Sequence, residues 1–383
     1  MKRFLLIFAI TLAIITAGVT AVSGDQAAAG TWKIEKITEP VATSVWSSLV
    51  MDAQGHPHVS YMIENPGKEY NLKYAWNTGS GWQSQFVDTS GTATPVSSLA
   101  LTGKGEPRII YSYLTDGWSA NYKLKIASWS NSRWKVQPVP TGTNVTGEAT
   151  LKLQRNGNPA TVYCKFTDSS LKGLFYARMR GSTWTSEVAD GQEGLMYAML
   201  RLDKYDRPHI VYRKAMPDMT MQVWYAWKDT AGWHKKLLDE GYISFNGGFA
   251  LDKDGKAKIA YVKAWNDYDR DIIYWDEALS WKNETVMSGT IAQFCDLALD
   301  KKGSPALTYC QLDQYFAAQS LHYVWKDGDT WKQEMIHKVG GGDAAIAEVT
   351  SLAFDSKNVL HLTFAEGVDS GAYHLMYGTR VGS

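Results

Sequence analysis

An all-β fold, built from one four-stranded unit repeated along the chain, is what the sequence predicts, and three recurrences carry that expectation. A short apolar segment returns seven times, as SLVMD (48–52), SLALT (98–102), TLKLQ (150–154), MLRLD (199–203), GFALD (248–252), DLALD (296–300) and SLAFD (351–355). Each copy is followed by a second apolar run ending on an aromatic: Tyr61, Tyr111, Tyr163, Tyr212, Tyr261, Tyr309 and Phe364. A tryptophan then opens a fourth run at Trp82, Trp134, Trp184, Trp233, Trp281 and Trp331. Strand-length apolar runs bounded by Gly, Pro and Asp argue for strands rather than helices.

The first hairpin of each unit has its own chemistry. Three residues after the end of the first segment stand Gly55, Gly105, Gly157, Asp206, Gly255, Gly303 and Asn358, the residue types that best tolerate positive φ. Pro57, Pro107, Pro159, Pro208 and Pro305 then start the second strand, where a missing N–H does little harm. The third strand carries Tyr74, Ile126, Tyr176, Tyr225, Tyr274, Tyr323 and Tyr377. In the sixth copy, Asp296 to Lys332, the four strands fall on Leu297–Leu299, Ala306–Tyr309, Leu321–Tyr323 and the run from Trp331. One such unit cannot bury both its faces and must stack on others. Four strands at a period near 50 residues are the mark of a β-propeller.

The seventh copy ends too soon after Tyr377 to hold a fourth strand. The missing strand is expected at 31–37, where Trp32 stands in register with Trp82. The expectation is therefore a single seven-bladed domain over 31–380, closed by the N-terminal strand as the outermost strand of the last blade. Ahead of it, Lys2 and Arg3 precede an apolar run from Phe4 to Ala17 and a small-residue zone, which reads as a signal peptide over 1–23. Residues 24–30 read as a flexible lead. Later in the chain no apolar stretch is long enough for a membrane span.

The 39 basic and 39 acidic side chains cancel, which argues against nucleic acid as a partner. The 16 Trp and 21 Tyr suit β-rich, stacked or sugar-facing surfaces. No HExxH, GxSxG or nucleotide-binding glycine loop occurs, so no cofactor is expected. The alternating acids at Asp267, Asp269 and Asp271 lack the glycine and later glutamate of a calcium loop, so no metal is expected either. His58, His209 and His361 share one repeat slot and read as structural.

A site is expected on the face carrying the variable connections. Lys165, Lys214 and Lys263 share one slot, two residues past the second-strand aromatic, where other copies have Tyr113 and Gln311. They form either a cationic arc or lysines paired with nearby Asp168, Asp218 and Asp267. Loop aromatics include Trp46, Trp118, Tyr197, Phe245, Trp265 and Tyr315, with Arg213 and Arg270 close in sequence. They could stack on sugar rings or pack between loops. Lys152 and Arg201 interrupt first strands that are otherwise small or apolar at that slot, and could reach the central channel. Cys295 and Cys310 flank the hairpin of the sixth copy, which allows a cross-strand disulfide; buried thiols are the other reading.

The run SLALDxxGxPxxxY, then LxYA, then Trp resembles the secreted BNR or sialidase-like propeller repeats of bacteria and archaea, over about residues 31–380. True Asp boxes read Ser-x-Asp-x-Gly-x-x-Trp, and no copy has the Trp three residues after the Gly. The resemblance implies a fold; catalytic residues do not carry over, since no arginine triad is assignable. The expected function is a non-catalytic binding propeller, secreted to the outside or cell surface (periplasmic in a Gram-negative host). As a monomer it would recognise a glycan or surface protein through Tyr113, Trp118, Lys165, Lys214, Lys263, Trp265, Asp267, Arg270, Gln311 and Tyr315. The alternative is a carbohydrate-active enzyme, a sialidase-like hydrolase or a polysaccharide lyase.

Overall fold

A computed structural model describes residues 31–38, 46–64, 70–115, 122–142, 144–146, 148, 150–167, 170–266, 269–290, 292–312, 318–339, 346, 351–368 and 372–381. The signal peptide and lead lie outside these, as do Trp118, Asp267, Tyr315 and the side chains of Phe245 and Cys295. Regular structure among the described residues is antiparallel β, apart from one 3-10 turn at Glu277–Leu279. No helix among them is long and apolar enough to cross a membrane.

Three sheets have four strands and two have seven. The larger sheets arise where one 20-residue strand, Trp82–Leu101 or Gly232–Leu251, serves as the last strand of one repeat and the first of the next. The sixth repeat shows the unit alone: Ala292–Leu299, Pro305–Leu312, Ala318–Asp327 and Thr330–Lys338, each paired with the next. The hairpin slot behaves as its residues require: φ is positive at Asp206 and Asn358 (62° and 67°) as well as at the five glycines. The first Asp of the hairpin caps the turn; Asp300 Oδ1, for example, accepts from the N–H groups of Lys302 and Ser304 at 2.8 and 2.7 Å.

The N-terminal strand Thr31–Lys36 pairs along its whole length with Ala372–Val381, from Thr31 opposite Val381 to Lys36 opposite Met376. It is the outer strand of the sheet that ends in Ser351–Phe354.

First strands of successive repeats are tied by one slot, the residue opening each segment. Ser48 Oγ accepts from Leu99 N–H (3.1 Å), Ser98 Oγ from Leu151 N–H (3.0 Å), Asp296 Oδ2 from Leu352 N–H (2.9 Å) and Ser351 Oγ from Leu49 N–H (3.0 Å). Thr150 instead donates to Ala198 O at 3.1 Å. The last of the four acceptors joins the seventh repeat to the first. Further out, fourth-strand tryptophans pack on the third-strand Tyr of the preceding repeat: Trp281 on Tyr225 at a 57° tilt, and Trp134 on Tyr74, Trp233 on Tyr176 and Trp331 on Tyr274 edge-on. Trp32 does the same on Tyr323, and Trp82 on Tyr377. Trp184 has no such tyrosine because the matching slot holds Ile126, and the two pack in one apolar cluster. Offset and edge-to-face aromatic pairs add about 1 kcal/mol each beyond buried area.

The slot-sharing histidines complete a buried polar relay in repeats one, four and seven. His58, His209 and His361 meet the hydroxyls of Tyr74, Tyr225 and Tyr377 through Nδ1, the last two at 2.5 Å. Their Nε2 atoms face Asp52, Asp203 and Asp355 at 3.5, 3.8 and 3.5 Å. Burial is the largest influence on all three rings and holds them below the ordinary histidine pKa, so they are neutral scaffold groups. In the fifth repeat Lys258 takes the slot and forms a buried ion pair with Asp276 at 2.6 Å.

The sixth-repeat ladder departs from equal-length pairing. Register shifts between Gln293 and Cys295, so Gln293 stands opposite Cys310 and Cys295 opposite Tyr309. The symmetric placement on which the Cys295–Cys310 disulfide rests is not kept. Cys310 itself is buried.

Candidate functional site

The first strands end, on the variable-connection side, around a cavity of about 490 Å³. Its walls come from the first five repeats. One repeat slot, two residues ahead of the linking slot just described, supplies Trp46, Val96, Glu148 and Tyr197. One layer deeper lie Thr150 and Met199, and Val211, Val223 and Ile259 make the wall largely apolar. Arg213 and Tyr261 enter from second strands.

Tyr197 is placed by a bulge. Met196 pairs with Arg213 and Met199 with Val211, leaving Tyr197 and Ala198 opposite the single residue Tyr212. Tyr197 sits there at φ 53°, a left-handed conformation costing a non-glycine residue about 1 kcal/mol or more. Bulges of this kind re-aim side chains beside sites. The Thr146 hydroxyl and the backbone N–H groups of Glu148 and Tyr197 donate to the Glu148 carboxylate. Glu148 Oε2 is buried and accepts no hydrogen bond from any described residue. Burial is the largest influence on this group and raises its pKa above the usual glutamate value, against those three hydrogen bonds. Tyr197 is likewise raised, by burial first and then by the Glu148 charge, while the charge of Arg213 opposes both. The Arg213 guanidinium lies 5.8 Å from the Tyr197 ring centre and is 5% exposed. The cavity thus combines a buried carboxyl of raised pKa, a tyrosine and a buried cation.

The residues expected from the sequence lie mostly elsewhere. Lys263 donates to Asp239 at 2.7 Å, Lys214 to Gln192 at 2.7 Å, and Lys165 lies 4.2 Å over the Phe175 ring. For Lys214 and Lys263 these partners belong to the preceding repeat's outer strand. Two of the three lysines in this slot thus tie neighbouring repeats together. Tyr261 and Tyr212 join the same stitches, donating to Asp239 and Asp190 at 2.7 Å. Tyr113 packs under Lys125 (4.5 Å), and Gln311 turns back to Leu312 O (3.2 Å). Trp265 is 59% exposed, with Lys263 at 5.2 Å over its ring and Asp271 accepting its indole N–H at 2.8 Å. Arg270 reaches Ala292 O at 3.4 Å. Sequence reading named Trp46, Tyr197 and Arg213 only as loop residues and missed Glu148. The signal was a slot reading Trp46, Val96, Glu148, Tyr197, Asn246, Phe294 and Val349, where the copies disagree and one acid stands alone.

Among the described residues no group of three or more His, Cys, Asp or Glu could hold a metal ion.

Comparison with protein-family models and with curated proteins finds no match. Solved structures do match. The polysaccharide lyase Uly1 superposes with a TM-score of 0.57 at 8% identity, over 90% of each chain. The Trypanosoma rangeli sialidase in complex with sialic acid gives 0.54 at 11% identity, over 93% of this chain and 60% of that one. AofleA from Arthrobotrys oligospora gives 0.51 at 14% identity, over 81% of this chain and 91% of that one. This chain thus spans under two thirds of the sialidase's length, and at these identities the likeness is one of fold: an all-β arrangement of antiparallel sheets resembling the propeller type of sialidases.

Proposed function

We propose that this chain is a secreted, monomeric, carbohydrate-binding propeller whose ligand enters the cavity around Glu148, Tyr197 and Arg213. The architecture belongs to the proposal: seven four-stranded blades over 31–380, with the N-terminal strand as outermost strand of the last blade. The contacts from Ser351 to Leu49 and from Trp82 to Tyr377 support a ring without a seam. Export rests on the charged and apolar N-terminus.

One observation carries the ligand site: a cavity drawn from five repeats, in which a bulged, left-handed tyrosine presses on a buried carboxyl. The neighbours named for a sialidase and a polysaccharide lyase favour sugars as the ligand class. The test is a glycan array on the exported chain beside Glu148→Gln and Tyr197→Phe. Retention of acidic glycans by the parent, lost in both variants, supports the reading; retention unchanged in both overturns it.

A carbohydrate-active enzyme, either hydrolase or lyase, is the second reading. The tyrosine–glutamate contact beside Arg213 favours it, since a carboxyl of raised pKa next to a phenol is suited to proton transfer. Turnover of sialylated or uronate polymers by the parent, abolished by Tyr197→Phe, would decide for it.

A further inference from the structure

Two residues below Thr150 and Met199, on the same first strands, stand Lys152 and Arg201. In this slot the other copies carry Val50, Ala100, Ala250, Ala298 and Ala353. Side chains at i and i+2 of a strand share a face, so the two cations lie one layer beneath the cavity. Small residues around them leave room for long side chains. Both are enclosed by protein yet keep some accessible surface, as groups facing a narrow space do.

Their charges are not matched. The Lys152 ammonium makes no hydrogen bond or ion pair with any described residue, and Arg201 spends one N–H on Leu200 O at 2.9 Å while lying 5.6 Å over the Phe249 ring. Among the described residues the one acid in their field is Asp296, beyond ion-pair distance, and its two oxygens already accept from Leu297 N–H (2.8 Å) and Leu352 N–H (2.9 Å). The proximity of Arg201 is the largest influence on Lys152, ahead of burial, and brings it down to about 7. Two like charges held together out of bulk water, with one occupied counter-charge, make a positive pocket whose cost an anion would relieve. A planar guanidinium beside an ammonium suits an oxyanion, which takes two N–H bonds from the fork and one from the point charge.

We propose that Lys152 and Arg201 form a binding site for a small oxyanion, either free or as the acid group of a sugar entering through the cavity above. The inference stands whether or not the cavity binds a glycan, since inorganic sulfate can probe it alone.

Thermal unfolding of the full chain is followed in sodium sulfate and in sodium chloride at equal ionic strength, for the parent, Lys152→Ala and Arg201→Ala. Alanine is the slot's own residue in four repeats, so these variants keep the fold. Sulfate strengthens burial generally, and that part persists in every variant. The expected result is a saturable sulfate-specific rise in the parent, with apparent affinity weakened about tenfold or more in each variant. Titration calorimetry at pH 7 in two buffers should show proton uptake on sulfate binding by the parent and none by Lys152→Ala. Glucuronate binding tighter than sulfate would assign the acid group of a sugar, and the reverse a free anion. Equal sulfate responses in all three proteins overturn the site.

Discussion

Trp82 donates its indole N–H to Glu35 at 2.9 Å while its ring stands edge-on against Tyr377, so one side chain in the first repeat holds both strands of the chain's two ends. The same indole–carboxylate bond links Trp32 to Glu334 (2.9 Å) and Trp331 to Glu284 (3.0 Å). The N-terminal strand is thus gripped from both sides by contacts used elsewhere between consecutive repeats. Trp82→Phe keeps the ring contact and should cost about 1 kcal/mol; Trp82→Ala should cost about 3 kcal/mol. A chain beginning at Pro40 should melt well below the full chain, and equal melting would remove the N-terminal strand from the closure.

Gly248 marks a close approach between two first strands. A Cβ there would lie 2.2 Å from Leu297 Cβ and 2.3 Å from the Leu297 backbone nitrogen. Backbone cannot swing aside as a side-chain tip can, so Gly248→Ala should lose at least about 2 kcal/mol in urea unfolding. Gly248→Ser should lose no less, although Ser48, Ser98 and Ser351 hold the same slot comfortably. A serine variant as stable as the parent would show that the fifth and sixth first strands separate at low cost.

Much of this scaffold was legible because repetition exposes what the backbone demands. Positive φ at the hairpin, proline at the strand start and the tryptophan and tyrosine slots each recur, Ile126 included, whereas the contact of tryptophan on tyrosine between repeats came from the structure. Gly248 could not, because a missing side chain does not say what fills its place. The site was less legible still. Lys263 and Lys214 look exposed when read alone, and only the register brings Asp239 and Gln192 of the preceding strand to them. Glu148 hid for the opposite reason: it stands in a stretch with no strand pattern, and its partner Tyr197 is turned inward by a bulge. Pairing across repeats and bulge position are both set by tertiary contacts, beyond the reach of local pattern.

Acid should weaken the fold well before Asp52, Asp203 and Asp355 protonate. Below the unfolded value of 6.5, an unfolded chain protonates His58, His209 and His361, while the folded chain, whose burial depresses all three, does not. The unfolded state then binds more protons, so stability is full above about 6.5 and declines as pH falls through it toward the depressed values. Asp52, Asp203 and Asp355 have pKa values below the ordinary 3.8 and add a second loss only at lower pH. The urea midpoint should therefore fall between pH 7.5 and 5, and replacing the three histidines with glutamine should lessen that slope, with His322, lowered by burial to about 4, supplying the remainder. An unchanged slope would place the sensitivity elsewhere.

Glu148 should act with the opposite sign. Its folded pKa is raised, so above the unfolded value of 4.5 the folded state holds a proton that the unfolded state has released. Stability from this residue is therefore present at low pH and lost as pH rises through the raised value. Glu148→Gln keeps the shape and the Tyr197 N–H contact but never ionises. It should match the parent near pH 4 and exceed it at pH 8, by a margin that grows through the window between. Ligand binding should separate further: a glycan that needs the carboxylate would lose affinity in Glu148→Gln at high pH, where the variant is the more stable protein. A variant less stable than the parent at pH 8 would mean that the cavity already neutralises Glu148 by a contact stronger than Thr146 and the Tyr197 N–H supply.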